Sequence, residues 1–301
     1  MWLPLGWLAG RLFVNARSTV RCLSFITVYL LCESAGILLS ALFWLCWKLG
    51  GEPESRYLER NRKLQCWWAE TLKRAAEKLF RLQFIVDGSD ALYGAGAIVL
   101  PRHTSIGDTI FPVSFYAKPC SLGVRYVLKR ELLLDPCLDI VGNRIPNIFL
   151  DRVADDMSSE LSAIQTLAQN ASDTESLIIY MEGTRFSVAK RARIIASLRE
   201  GSDVRQLENA ERWDNILPPR MAGAMALIEG APHKDLLFCA HTGFEGSANF
   251  ATLFNGSWLD SVVRLRFWRI AARDIPVGVN ARREFLLSQW DRMHREVADL
   301  S

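Results

Sequence analysis

Between Cys22 and Trp47 the chain runs for 26 residues with a single charge, Glu33. No other feature restricts the fold so strongly. As a helix, a stretch this long and apolar reaches across a hydrocarbon core of about 30 Å, whereas a soluble helix of that length would need a polar face. Membrane insertion is therefore expected. A cleaved signal peptide is not, because its apolar region is shorter and no small-residue cleavage site follows here. A second apolar, tryptophan-bearing piece occupies residues 1–13, with Arg17 and Arg21 in the connection. Two arrangements stay open, one spanning helix or a two-helix hairpin dipping into one leaflet. If the helix spans, Lys48, Arg56, Arg60, Arg62 and Lys63 outnumber Arg11, Arg17 and Arg21, which puts the rest of the chain on the cytoplasmic face. A dipping hairpin leaves it on that same face.

Residues 1–50 are thus expected to anchor, and Gly50-Gly51-Glu52-Pro53 marks the break. Residues 51–81 hold this linker and an amphipathic helix from about Arg56 to Phe80. Its apolar stripe is Leu64, Trp68, Leu72, Ala75 and Leu79, with Arg60, Lys63, Lys73, Arg74 and Lys78 elsewhere. That stripe suits either a lipid surface or a protein core. Across residues 82–301, short apolar runs alternate with helical stretches: Phe84–Val86, Ala97–Leu100, Arg125–Leu128, Ile148–Leu150, Leu177–Tyr180 and Leu236–Ala240. This alternation predicts an α/β sandwich with a largely parallel sheet. A final helix, capped by Asn280, places Phe285, Leu286, Trp290, Met293 and Val297 on one face.

Thirty-six basic and 33 acidic residues leave a formal charge of only +3, which gives no argument for nucleic acid. No glycine-rich nucleotide loop is present, which argues against phosphoryl transfer. Seven cysteines cannot all pair and lack zinc-like spacing, so a reduced cytosolic setting and no metal site are expected.

Chemistry concentrates in Leu100-Pro-Arg-His-Thr-Ser-Ile-Gly-Asp-Thr-Ile110. His103 follows the apolar strand, and Asp108 stands five residues on, too far for side chains stacked on one continuous helix. The spacing suits a loop histidine and a carboxylate in the first turn of the next helix, with Thr104 or Ser105 as its N-cap. There the carboxylate can bind one ring nitrogen and stabilise the imidazolium formed when the other takes a proton.

This His-x4-Asp spacing resembles the first motif of the glycerolipid acyltransferases, the family that contains 1-acylglycerol-3-phosphate acyltransferase. The second motif resembles Lys129-Arg130-Glu131-Leu132, Pro136, Gly142 and Ile148-Phe149-Leu150-Asp151-Arg152. The third stands intact as Glu182-Gly183-Thr184-Arg185, although Met181 replaces the proline that many members carry before the glutamate. Leu217-Pro218-Pro219-Arg220-Met221-Ala222-Gly223 is similar to a later segment of the same branch. The fourth motif is degraded to Leu236–Gly243, without its Pro-Val, and His241 within it belongs to no family motif.

What the resemblance implies is a membrane-bound O-acyltransferase with His103 as general base and Asp108 as its partner. Arg152 and Arg185 would hold the acceptor's phosphate. Glu182 ties the third-motif loop together, and Gly183 lets Thr184 and Arg185 face the site from a tight turn. Lys129, Glu131 and Arg220 are further candidates. The partners implied are membrane lipid, lysophosphatidic acid or another lysophospholipid, and acyl-coenzyme A or acyl carrier protein as thioester co-substrate, with no cofactor. Two alternatives remain at this stage: another lysolipid or acylated amino-acid acceptor, and a silent lipid-binding scaffold.

Overall fold

The structure, a computed structural model, describes residues 3–151, 157–201, 203–247 and 250–301, except for the side chains of residues 3–15, 250 and 251. It opens on a helical pair, α1 (Leu3–Gly50) and α2 (Glu54–Phe80). The 48 residues of α1 are continuous, so the two apolar pieces expected at the N-terminus form one helix. Gly51, at φ +65°, turns the chain, and Pro53 precedes α2. The pair is antiparallel: Trp47 stacks on Tyr57, Ser40 Oγ donates to Asn61 Oδ1 at 3.1 Å, and Trp68 Nε1 donates to Glu33 Oε1 at 2.8 Å.

One side of α1 is pinned to the rest of the molecule along most of its length. Cys22 Sγ donates to the Leu253 carbonyl, Arg21 Nη1 to the Leu79 carbonyl, and Tyr29 Oη to Asp135 Oδ2 at 2.7 Å. From Ser18 to Trp47 such contacts cover about 44 Å of helix at about 1.5 Å per residue. The opposite side exposes Val20, Leu23, Leu30, Leu31, Leu38, Leu42, Leu45 and Leu49. The apolar stripe of α2, in turn, packs on the protein: Leu64 and Leu72 are buried, and Trp68, Ala75 and Leu79 are half-buried against the core.

The chain then enters a seven-stranded sheet of β1 (Gln83–Asp87), β2 (Ile98–Pro101), β3 (Gly123–Lys129), β4 (Ile148–Leu150), β5 (Glu175–Ile178), β6 (Leu236–Thr242) and β7 (Val262–Ile270). Their spatial order is β1-β7-β6-β2-β5-β3-β4. Every pairing is parallel except β6 with β7, so the expected largely parallel sheet is present. Period-two alternation on fully buried strands makes two cores. Ile98, Leu100, Leu236 and Phe238 face one side, and Val99, Leu237 and Cys239 the other. The first core is closed by α4 (Met157–Gln169), α7 (Met221–Gly230) and α9 (Val279–Leu300), the second by α1 and α2. A short α3 (Pro136–Gly142), capped by Asp135, sits beside α1.

The charged stretch after Phe186 forms α5 (Val188–Glu200) and α6 (Val204–Arg212), a largely exposed excursion as its composition suggests. A four-residue α8 (Phe250–Leu253) precedes β7. Asn280 is not the cap of α9. The helix starts at Val279 behind Gly278, whose φ of +96° makes the turn without any side-chain cap.

Glycine is required where β2 enters the sheet. A Cβ on Gly96 would collide with the carbonyl oxygen of Glu175 on the neighbouring strand. Gly96→Ala is therefore expected to lower stability by about 1–3 kcal/mol, seen as a reduced urea midpoint, and an unchanged midpoint would contradict this packing.

Candidate active site

In a parallel sheet the chain leaves every strand at the same edge, where α/β folds gather their sites. β2, β3 and β5 here deliver His103, Lys129 and the Glu182–Arg185 loop to that edge. His103 Nδ1 lies 3.0 Å from Asp108 Oδ1, which leaves Nε2 for a substrate proton. Asp108 is wholly buried, and its Oδ2 accepts the backbone N–H of Thr104 at 2.6 Å and of Ser105 at 2.8 Å.

The local geometry differs from the expected capped helix. Gly107–Ile110 form a single tight 3-10 turn, and Pro112–Ala117 a wider π turn. Asp108 reaches back to bind the N–H groups of Thr104 and Ser105. Ser105 Oγ accepts from Gly107 N, two residues on, at 3.0 Å, while Thr104 Oγ1 is buried and bonds nothing among the described residues. Burial alone would push the Asp108 carboxyl up. The facing His103, its hydrogen bond, His241 and the Ser105 N–H together hold it below its ordinary value.

Glu182 is the tie that motif three needs. Its Oε1 accepts His103 N at 2.6 Å and its Oε2 accepts Leu217 N at 2.9 Å. Burial pushes this carboxyl up to about 8, opposed by the Arg102 guanidinium and by the two N–H donors. Gly183 takes φ +68°, and Phe186 N donates to the His103 carbonyl at 2.6 Å, so the first and third motifs form one hydrogen-bonded unit.

A cavity of about 680 Å³ opens beside His103. Lys129, Glu131, Gly183, Thr184 and Arg185 lie on its wall, while Asp108 and Glu182 stand behind it. The other wall is helical and mostly apolar, with Leu64, Trp68 and Ala69 of α2, Gly36 of α1 and Leu138 and Val141 of α3. Arg220 stands apart: exposed, outside this wall, it starts α7 by donating its backbone N–H to the Met181 carbonyl at 2.7 Å. The apolar Ala224–Ile228 segment that follows packs in the core on the opposite face of the sheet. Arg152 lies outside the described residues. Among the described residues, no group of three or more His, Cys, Asp or Glu is placed to hold a metal ion.

Sequence reasoning missed three participants. The Tyr180 ring lies 4.3 Å from that of His103, and its hydroxyl donates to the Asp108 carbonyl at 3.2 Å. Its place at the end of an apolar run concealed this. Lys190 lines the cavity and donates to Thr184 Oγ1 at 2.9 Å and to the Arg185 carbonyl at 3.0 Å. Burial, then Arg185 and Arg193, lower its pKa. Arg102, adjacent to the histidine in sequence, is 1% exposed and ion-paired with Glu245.

His241 is fully buried, as a structural histidine would be, yet stands 3.7 Å from Asp108 Oδ2. Burial lowers its pKa from 6.5 to about 4, against the pull of Asp108. Between those values the unfolded chain takes up a proton that the folded ring refuses, so stability falls as pH drops through that window. The urea midpoint of His241→Gln should fall less than that of wild type between pH 7 and pH 4.5. Equal slopes would contradict a buried neutral ring.

An acyltransferase family model matches residues 83–212. No curated protein matches the chain by sequence. Among solved structures the chain is similar to the 1-acyl-sn-glycerophosphate (LPA) acyltransferase PlsC from Thermotoga maritima. The TM-score is 0.59 at 14% identity, over 94% of this chain and 97% of that one.

Proposed function

From an acyltransferase domain on a PlsC-like fold, we propose that this chain moves a fatty acyl group from a thioester to the hydroxyl of a lysophospholipid, with 1-acylglycerol-3-phosphate as the preferred acceptor. One observation carries the reading. The imidazole paired with Asp108 opens onto an apolar cavity large enough for an acyl chain, with Lys129 and Arg185 on its wall beside it.

His103 Nε2 removes the acceptor's hydroxyl proton as that oxygen attacks the thioester carbonyl. The tetrahedral oxyanion then collapses, the C–S bond breaks, and the imidazolium returns its proton to the departing thiolate. Asp108, ionised and held by the Thr104 and Ser105 amides, keeps the ring oriented and stabilises its transient charge. Arg185, with a planar fork of donors, suits the acceptor's phosphate. Arg152 is assigned the same anion on the family resemblance. Glu182 positions the His103 backbone and handles no proton.

The membrane reading rests on α1. Its outer face is a largely apolar strip in which the exposed Thr27 and Ser34 hydroxyls bond back to the helix, while its inner face lies along the domain through most of its length. A helix held in that way favours insertion into one leaflet over a perpendicular span. All seven cysteines are free thiols, which supports the cytoplasmic surface. The cavity wall shared by α1 and α2 would then take both greasy substrates directly from the bilayer. Either acyl-coenzyme A or acyl carrier protein fits as donor.

Labelled acyl transfer to lysophosphatidic acid, measured on membranes bearing wild type or His103→Ala, tests this directly. His103→Ala should lose about 10²–10⁴-fold in rate while remaining folded, and Asp108→Asn should be similarly impaired. Normal turnover by His103→Ala would remove the mechanism. Arg185→Ala should raise KM for the phosphorylated acceptor, and unchanged kinetics there would remove the phosphate assignment.

A further inference from the structure

The peptide joining Arg102 to His103 is held at both edges by buried side chains. Its N–H donates to Glu182 Oε1 at 2.6 Å, and its carbonyl oxygen lies 3.0 Å from His241 Nε2. His241 projects from β6 with its ring edge-on to Phe111, the centroids 5.0 Å apart. A carbonyl can only accept, so the ring proton belongs on Nε2. Nδ1, buried and without a hydrogen-bond partner, agrees with that tautomer. The same Nε2 stands 3.7 Å from Asp108 Oδ2.

Arg102 returns the contact. Its Nη1 donates to the His241 carbonyl and to Glu245 Oε1, each at 2.5 Å, and its Nη2 to the Asn215 carbonyl at 2.6 Å. The ends of β2 and β6 are thus clasped by a reciprocal pair, each side chain bonded to the other's main chain. A phenylalanine at 241 would fill the same space against Phe111. It would leave the Arg102 carbonyl without this donor and present an apolar edge to Asp108.

We propose that His241 is a positioning residue for proton transfer at His103: its Nε2–H fixes the Arg102–His103 peptide and sets a neutral dipole against Asp108, keeping the imidazole and carboxylate in register. This rests on the reading of His103 as general base. Because His241 acts on the geometry of the base and touches no substrate, it affects turnover and leaves substrate affinity alone. Small displacements of a reacting group carry large rate costs, up to about 10²-fold for 1 Å.

Two kinds of measurement test it. The chain has four histidines, so imidazole NMR on histidine-labelled protein can follow each one. At neutral pH the wild type should show His241 as the neutral Nε2–H tautomer and a hydrogen-bonded Nδ1 proton on His103. A His241 protonated on Nδ1 overturns the proposal whatever the enzyme's activity. In acyl-transfer assays, His241→Phe should lower kcat about 10- to 100-fold with KM for both substrates unchanged, and should broaden or remove the His103 Nδ1 proton signal. His241→Gln, whose amide N–H reaches the same carbonyl, should restore both. Wild-type kcat in a folded His241→Phe protein, or equal losses in the Phe and Gln variants, overturns the assignment. If wild type transfers no acyl group, the general-base reading fails, and the NMR signals alone decide whether His241 holds the peptide.

Discussion

A carboxylate with no exposed surface governs the architecture around it. Burying Asp108 carries a desolvation penalty of several kcal/mol in order of magnitude, and the chain offsets it with the Thr104 and Ser105 amides, His103 Nδ1 and the nearby His241 ring. Three of those partners come from the loop that follows β2 and the fourth from β6, so the carboxylate sits where the ends of these paired strands meet. Glu182 repeats the device one strand over, spending both oxygens on backbone N–H groups of His103 and Leu217. Two buried acids thereby lock the segment that bears the histidine.

Helices α1 and α2 extend this rigid edge into a site. They contribute part of the cavity wall and a structural seal, with Phe25, Phe80 and Trp258 meeting edge to face. The outer strip of leucines on α1 and the inner wall of the cavity belong to the same hairpin, only one helix thick. In the proposed function this closeness matters, because an acyl chain moving from lipid to His103 need cross only that layer. Polar contacts such as Tyr29 to Asp135 and Trp68 to Glu33 hold the layer in place.

Much of this was legible in the residues. Strand order could not be read, but the runs at Ala97–Leu100 and Leu236–Ala240 are strands because uninterrupted apolar residues suit a sheet covered on both faces. His103 and Asp108 do pair, and Gly183 does take positive φ, since spacing and residue type constrain both. Local rules failed where tertiary contacts set the geometry. The helix expected after His103 is instead a single 3-10 turn followed by a π turn. Asn280 looks like a cap, yet Gly278 makes the turn. Tyr180 and His241 carried no signal because their roles come from strands distant in sequence, and Ala224–Ile228, apolar enough for a groove, is core because α4 packs against it. The N-terminal helix was legible as apolar. Its attachment along the domain was not, being written in scattered polar residues such as Arg21, Tyr29 and Glu33.

The central claim is that one cavity, walled by α1, α2 and α3 and opening on His103, holds the acyl chain during transfer. Photolabelling with an acyl-coenzyme A whose chain carries a diazirine, followed by peptide mapping, addresses it most directly. The account predicts adducts on the cavity wall, around Gly36, Leu64, Trp68 and Val141, competed by unlabelled acyl-coenzyme A. Adducts confined to α4, α7 and α9 on the opposite face of the sheet would contradict it.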